Sequence, residues 1–374
     1  MRNGFAQSLV LRGLYTTAMA GAFLRYRNPR RQQIGRHQTS FYERAWREAA
    51  EELGGTWRQL KTGIGEIDVG GNKTRVVGNV SEIDDPVTLA VLHDKPLTHR
   101  ILRAEGLPVP RHATFSLHAM APAAEFLGSA GGDCVVKPAG GTGGGRGITT
   151  GVRTPAHLRR AAAAAAVYAD ELMIEEQLDG DNYRLLYLDG ELIDSFVRRP
   201  PTVTGDGCSS VVRLVDAANE DRRQFGDRIS QVPLTVDLDM RRTLAKQGLS
   251  LRSVPPAGKA ITLKTVVNEN AGVDNSTATH LLCDSIVEAG ERAVRALRVR
   301  FAGIDVITRD PAVPLAESGG AIIEVNGTPN LYFHYHKRDT SFPVAVPLLR
   351  RLLLEPRPPA GVRATSEIAE PIHR

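Results

Sequence analysis

Two apolar stretches late in the chain, FAGIDVIT (301–308) and AIIEVNG (321–327), each carry one acid at their centre. Both read as β-strands. Asp305 stands between Ile304 and Val306, and Glu324 between Ile323 and Val325. An ionised carboxylate buried without a partner is costly, so whatever encloses these strands must also neutralise two negative charges. With a strand period of two, Glu324 and Asn326 point to the same face. Two carboxylates and an amide suit a hard cation such as Mg²⁺, which also takes substrate phosphates. A single buried acid would read as a salt bridge to an arginine. Two of them, on consecutive strands that follow a glycine-rich hairpin, favour the metal.

That hairpin is VVKPAGGTGGGRGITTGV (135–152), with six glycines between Gly140 and Gly147. Glycines this dense permit φ > 0 and close backbone approach to an anion, and they also fill ordinary linkers. A Walker A loop fails here, because Arg146 and Gly147 stand where Lys and Ser/Thr are needed. The register GxGxxG cannot be placed either, which removes the usual dinucleotide and kinase fingerprints. What remains is a glycine loop between two strands, with Lys137 at the end of the first. A third stretch, IEEQLDGDNYRLL (174–186), ends one strand in two acids and leads through an acid-rich turn into another. Such a strand end can offer backbone groups to an adenine edge and side-chain oxygens to ribose hydroxyls.

The remaining pattern is mixed α/β. FYERAWREAAEELGG (41–55) predicts an amphipathic helix ended by glycine, with Phe41, Trp46, Ala49 and Leu53 toward a core. TRVVGNV predicts a strand, and KPLTHRILRAEG a helix stopped by Gly106. Thr154 and Pro155 supply an N-cap and first-turn proline for a helix through the alanine run. NYRLLYLDGELIDSFVRR predicts two strands turned at Asp189-Gly190. Residues 210–260 read as polar and mixed, AITLKTVV as a strand, and 276–299 as one long helix.

In this order the pieces resemble the ATP-grasp superfamily, and the branch they are most similar to is the ATP-grasp domain of cyanophycin synthetase. Seven collinear stretches carry the resemblance: DKPLTHRILRAEGLPVP, VVKP with its glycine loop, EEQLDGDNYRLL, RRPPTVTGDG, PPAGKAITLK, AGIDVI and IIEVNGTPNL. It implies an α/β (α+β) ATP-grasp fold, with two α+β lobes clamping ATP behind a small α/β N-terminal domain. The implied division is a basic leader (1–36), an N-terminal domain (37–93), a central lobe with the glycine lid (94–180), a C-terminal lobe (181–354) and a Pro-rich tail (355–374). Lys95 and Lys137 match the two lysines that contact the nucleotide phosphates. Gly141, Gly143, Gly144, Gly145 and Arg146 belong to the lid. Glu175, Glu176 and Leu178 match the adenine-holding strand, and Asp181 or Asn182 the ribose contact. Asp305, Glu324 and Asn326 match the metal ligands, for two Mg²⁺ ions or for Mn²⁺ in their place. Arg184 and Lys264 match basic positions near the γ-phosphate and the acyl intermediate.

The implied chemistry is carboxylate–amine ligation on an amino acid or small peptide through an acylphosphate. The alternatives are an ATP-grasp phosphotransferase, and a nucleotide-binding regulatory protein without turnover. Members of the superfamily commonly form homodimers or homotetramers. The sequence departs from the branch after Lys264, where it reads VVNENAGVDNSTATH, and at Asn330, where glycine is usual. His334, His336 and Lys337 read equally as substrate contacts and as an ordinary loop packed on the lobe edge.

Composition narrows the rest. No apolar run approaches the ~20 residues of a membrane span. The three cysteines are widely spaced and suggest neither a disulfide framework nor a zinc site. The formal charge is +5, but residues 1–36 hold seven arginines and no acid, and without them 40 basic residues face 42 acidic ones. The basic pI therefore says little about nucleic acid. In the leader, LYTTAMAGAF has the length of a signal-peptide apolar segment, yet Arg25 and Arg27 continue the basic run beyond it. A basic amphipathic helix and a cytoplasmic setting are the expectation.

Overall fold

The computed structural model describes residues 11, 13–19, 29–141, 145–224, 233–267 and 270–355, without the side chains of 29–37, 223 and 273. Most of the arginine-rich leader, Gly143 and Gly144 of the lid, and the Pro-rich tail beyond Glu355 lie outside the described residues.

Three antiparallel sheets and one short ribbon organise the described residues. Helix α1 (Pro29–Glu52) precedes a four-stranded meander of β1 (Thr56–Lys61), β2 (Ile64–Val69), β3 (Asn72–Val77) and β4 (Val80–Ser81). Two helices follow, α2 (Pro86–His93) and α3 (Lys95–Ala104). The central lobe is a sheet ordered β5-β8-β6-β7, formed by His112–Phe115, Leu172–Glu176, Cys134–Pro138 and Thr149–Val152. It carries α4 (Ala121–Ser129) and α5 (Pro155–Ala165), and Thr154 caps α5 by accepting from the His157 N–H. The C-terminal lobe is a five-stranded sheet ordered β13-β10-β9-β14-β15. Its strands are Ser276–Thr277, Glu191–Arg198, Asp181–Leu188, Phe301–Thr308 and Ala321–Asn326.

Strand alternation gives this five-stranded sheet two unlike faces. Tyr183, Leu185, Tyr187, Val197, Ile304 and Val306 form one, packed on helix α8 (Asp284–Ala296) through Ile286, Ala293 and Val294. Gly290 of α8 lets the helix settle on Tyr187, since a Cβ there would collide with the phenol ring. The other face is apolar at one end. There Leu186, Leu188 and Phe301, with Phe196 further along toward the polar end, join a core with Phe41, Trp46 and Ala49 of α1 and with Val346, Leu348 and Leu349 of α11 (Ala345–Leu353). At its other end the same face is polar.

Several elements differ from the sequence reading. Helix α1 begins at Pro29 rather than near Phe41. Strands β1 and β2 were not foreseen, because β1 exposes nearly every residue and lacks an apolar alternation. The stretch 210–260 is a small module with α6 (Val211–Gln224), α7 (Leu238–Lys246) and the ribbon β11 (Thr202–Thr204) with β12 (Ala260–Thr262). Its core is slight, built around Val211, Val215, Met240, Leu244 and Ile261, and its helices expose so many charges that no apolar stripe dominates. The expected helix over 276–299 is confined to 284–296, since residues 276–277 pair with β10 as β13. Segment 309–320 contains the one-turn α9 (Leu315–Ser318).

Trp46 is 1% exposed and donates its indole N–H to the Gly78 carbonyl at 2.8 Å, which ties α1 to the meander. Trp46→Ala is expected to cost about 3–5 kcal/mol, read as a lowered midpoint in denaturant unfolding. A loss below about 1 kcal/mol would mean that α1 is not part of the cooperative core.

Candidate active site

The polar end of the sheet is built by register. Asp305 on β14 is directly opposite Arg184 on β9 and opposite Glu324 on β15. Gly303 is opposite Asn326, so Asp305, Glu324 and Asn326 share one face with Arg184. A bulge follows, because Val306 pairs with Ile322 and leaves Ile323 as the extra residue. The bulge lets β15 bury Ile322 among the α8-side residues while turning Glu324 to the polar face, as bulges beside functional sites do. Gly303 is required for room, since a Cβ there would fall on the Arg184 guanidinium.

Each buried acid has found a cation. Arg184 Nε lies 2.6 Å from Asp305 Oδ1 and Arg184 Nη2 donates to Oδ2 at 3.0 Å. Lys95, in the first turn of α3, lies 3.1 Å from Glu324 Oε1. Lys137 on β6 of the central lobe lies 2.6 Å from Glu175 Oε1 at the end of β8. The two lysines are linked through backbone, for the Lys95 N–H donates to the Ala139 carbonyl at 3.0 Å and Gly140 bridges to Asp94. A Cβ on Gly140 would sit 2.7 Å from the His93 carbonyl oxygen, so glycine is needed where the lid leaves β6.

Burial pushes the Glu324 carboxyl upward, but the charges of Lys95, Lys137 and Arg184 more than offset it and hold it at about 2. Arg198 was missed in the sequence. It is 4% exposed, lies 3.5 Å from Asp305 Oδ2, and is pushed down by burial, partly restored by Asp305, to about 10. Strand alternation could have found it, since Phe196 and Arg198 pair with Arg184 and Asn182 on the site face.

The other foreseen residues are arranged around this centre. Glu176 accepts from both the backbone N–H and the Nε of Arg111, each at 3.0 Å. Leu178 is half-buried in the link between the lobes, Gly141 opens the lid, and Gly145 and exposed Arg146 form the turn that closes it. Asp181 pairs with Arg199 at 2.9 Å, and Asn182 follows it on β9. Buried acceptors at Glu175 Oε2 and Asn182 Oδ1 have no hydrogen-bond partner. Lys264 is 3% exposed and lies 2.6 Å from Asp237, so its partner is the small module rather than the Asp305 cluster. Among the described residues no three His, Cys, Asp or Glu side chains are grouped to hold a metal. The set on this face is two carboxylates and an amide, which fits a hard cation that completes its shell with phosphate oxygens and water.

Antiparallel sheets, a glycine-rich link between β6 and β7 and two acids on adjacent strands are the arrangement of the ATP-grasp fold, which this chain has. A bifunctional glutathione synthetase from Pasteurella multocida superposes with a TM-score of 0.51 over 82% of this chain and 43% of that one, at 21% identity. In sequence, the chain is 31% identical over 289 residues to the cyanophycin synthetase of Nostoc sp., covering 76% of this chain and 32% of that protein. It is 32% identical over 264 residues to the glutathione biosynthesis bifunctional protein GshAB of Enterococcus faecalis, covering 69% and 34%. The resemblance read from the seven sequence stretches is thus borne out. The chain spans about a third of the length of these curated relatives. No family model matches it.

A carboxyl held low in the folded state adds stability that is complete above its unfolded pKa of about 4.3 and is lost as the pH falls toward the folded value. Wild-type stability is therefore expected to fall between pH 4.3 and about 2 in part through Glu324. Urea unfolding at stepped pH should give a shallower decline over that window for Glu324→Gln. Equal slopes in the two proteins would refute the assignment.

Proposed function

We propose that this chain is an ATP-dependent carboxylate–amine ligase that forms an amide or peptide bond through an acylphosphate, acting on an amino acid or small peptide. The observation that carries the reading is the run of paired charges Arg184–Asp305 and Glu324–Lys95 on one sheet face, with Lys137 reaching the same field from the opposite lobe. The similarity to cyanophycin synthetase and GshAB supports it. The work divides between a central lobe (94–180) and a C-terminal lobe (181–354).

Each residue then has a task. Glu175, Glu176 and Leu178 hold the adenine, and the Asn182 oxygen accepts from a ribose hydroxyl, with Asp181 beside it. Lys95 and Lys137 bind the phosphates as cations. Asp305, Glu324 and Asn326 would hold Mg²⁺, which when bound neutralises charge on the γ-phosphate and orients it. Arg184 draws charge from the same group while a substrate carboxylate oxygen attacks phosphorus and the bond to the ADP oxygen breaks. An amine nitrogen then attacks the acyl carbon, and phosphate leaves with the electron pair of the C–O bond. The glycine lid excludes water, which would otherwise hydrolyse the acylphosphate. ATP as a substrate fits a cytoplasmic setting, and no described helix is long and apolar enough to cross a membrane.

Release of ADP and phosphate with Mg²⁺-ATP, across pooled amino acids and dipeptides with mass spectrometry of products, tests the reading. Turnover is expected to need both a carboxylate and an amine, and to fall by ~10²–10³-fold in Asp305→Ala. Accumulation of a phosphorylated acid with no dependence on amine would indicate phosphotransfer instead. Failure to bind ATP would overturn the assignment.

A further inference from the structure

Asp194, His334 and Lys337 form a buried cluster outside the set assigned above. Asp194 is on β10, two residues from Phe196 and four from Arg198, and so faces the same side of the sheet as Arg184. Its two oxygens are both engaged: His334 Nδ1 lies 2.6 Å from Oδ2, and Lys337 Nζ donates to Oδ1 at 2.5 Å. His334 belongs to the one-turn helix α10 (Tyr332–Tyr335) and is 0% exposed. Its ring meets Phe196 edge-on with centroids 4.8 Å apart. Phe196 in turn pairs across the strands with Arg184.

The bond to Asp194 fixes the tautomer. Nδ1 carries the hydrogen and donates it, so Nε2 holds a lone pair. That nitrogen is buried and has no hydrogen-bond partner. A buried acceptor left unmade costs the fold its full desolvation penalty, and such a group calls for an explanation. The charges that face the imidazole are Asp194, Lys337 and Arg184. Burial pushes His334 down, Asp194 pulls it up, and Arg184 and Lys337 push it down again, leaving it below its ordinary value. Its Nε2 lone pair lies in the field of Arg184, the arginine assigned to the acyl intermediate, with Phe196 between the two elements.

We propose that His334 is the general base of the ligation, with Nε2 taking the proton that the incoming amine must lose. This rests on the ligase reading given above. Nε2 first takes one proton from the ammonium, which frees the nitrogen lone pair. As that nitrogen bonds to the acyl carbon the C–O bond to phosphate breaks, and the second N–H proton goes to the departing phosphate oxygen. Asp194, still accepting from Nδ1, stabilises the imidazolium that results. Lys337 holds the second oxygen of Asp194 and is a positioning residue. Because the ring is enclosed in this form, the 327–337 segment must part from Phe196 when the amine enters.

His334→Asn separates the base from the scaffold, since the amide can still donate to Asp194. The test compares two acceptors with the same acid substrate: an amino acid, whose ammonium needs a base, and hydroxylamine, which is unprotonated at neutral pH. In the variant, kcat with the amino acid is expected to fall by about 10²-fold or more while hydroxamate formation stays at the wild-type rate. Retained hydroxamate formation also shows that the variant is folded and makes the acylphosphate. Equal loss with both acceptors, loss with neither, or a change confined to the KM for the amine would overturn the proposal. Wild-type protein that forms no hydroxamate with any acid would instead overturn the ligase reading beneath it.

Discussion

The contact between Arg184 and Asp305 is the one on which the site depends. Both residues are on central strands of the five-stranded sheet, in direct register, with side chains 13% and 5% exposed. Charges removed from water to this degree repay the cost only when the geometry is good and further partners fill the remaining positions. Arg198 supplies one such partner, and Gly303 supplies the space. The strands cannot slip by one residue without sending Asp305 into the apolar layer against α8, so the ion pair and the sheet register fix one another.

The same sheet explains why a polar centre and a substantial core coexist. One face is largely apolar, and the other changes from Leu188 and Phe301 to Arg184, Asp305 and Asn182 along its length. The bulge at Ile323 keeps β15 in step with both demands. His334, Asp194 and Lys337 lie where the two ends of that face meet, which is why a charged cluster there is sealed from water.

Much of this was legible in sequence where one residue type has one physical use. The acids within 301–327 had to be neutralised, the Asp189-Gly190 turn takes the positive φ angles of 49° and 88° that such a hairpin requires, and Thr154 had to cap a helix. Harder to read were features whose cause is distant. Lys95 and Glu324 were recognised separately, as phosphate and metal contacts, yet in this form they neutralise each other across more than two hundred residues. Arg198 looked like any arginine before prolines, and only register shows it aimed at Asp305. The helices at 211–246 bury too little to announce themselves, although Asp237 caps one of them through the Met240 N–H at 3.0 Å.

The packing of α1 on α11 carries a consequence for biosynthesis. Phe41, Trp46 and Ala49 are enclosed by residues that include Val346, Leu348 and Leu349, some three hundred positions later. A nascent chain emerging from the ribosome at about 5–20 residues per second would present the apolar stripe of α1 for at least ~15 seconds before its cover is made. During translation this helix is therefore a natural client for a chaperone, because it emerges long before its cover and is among the last segments to be buried.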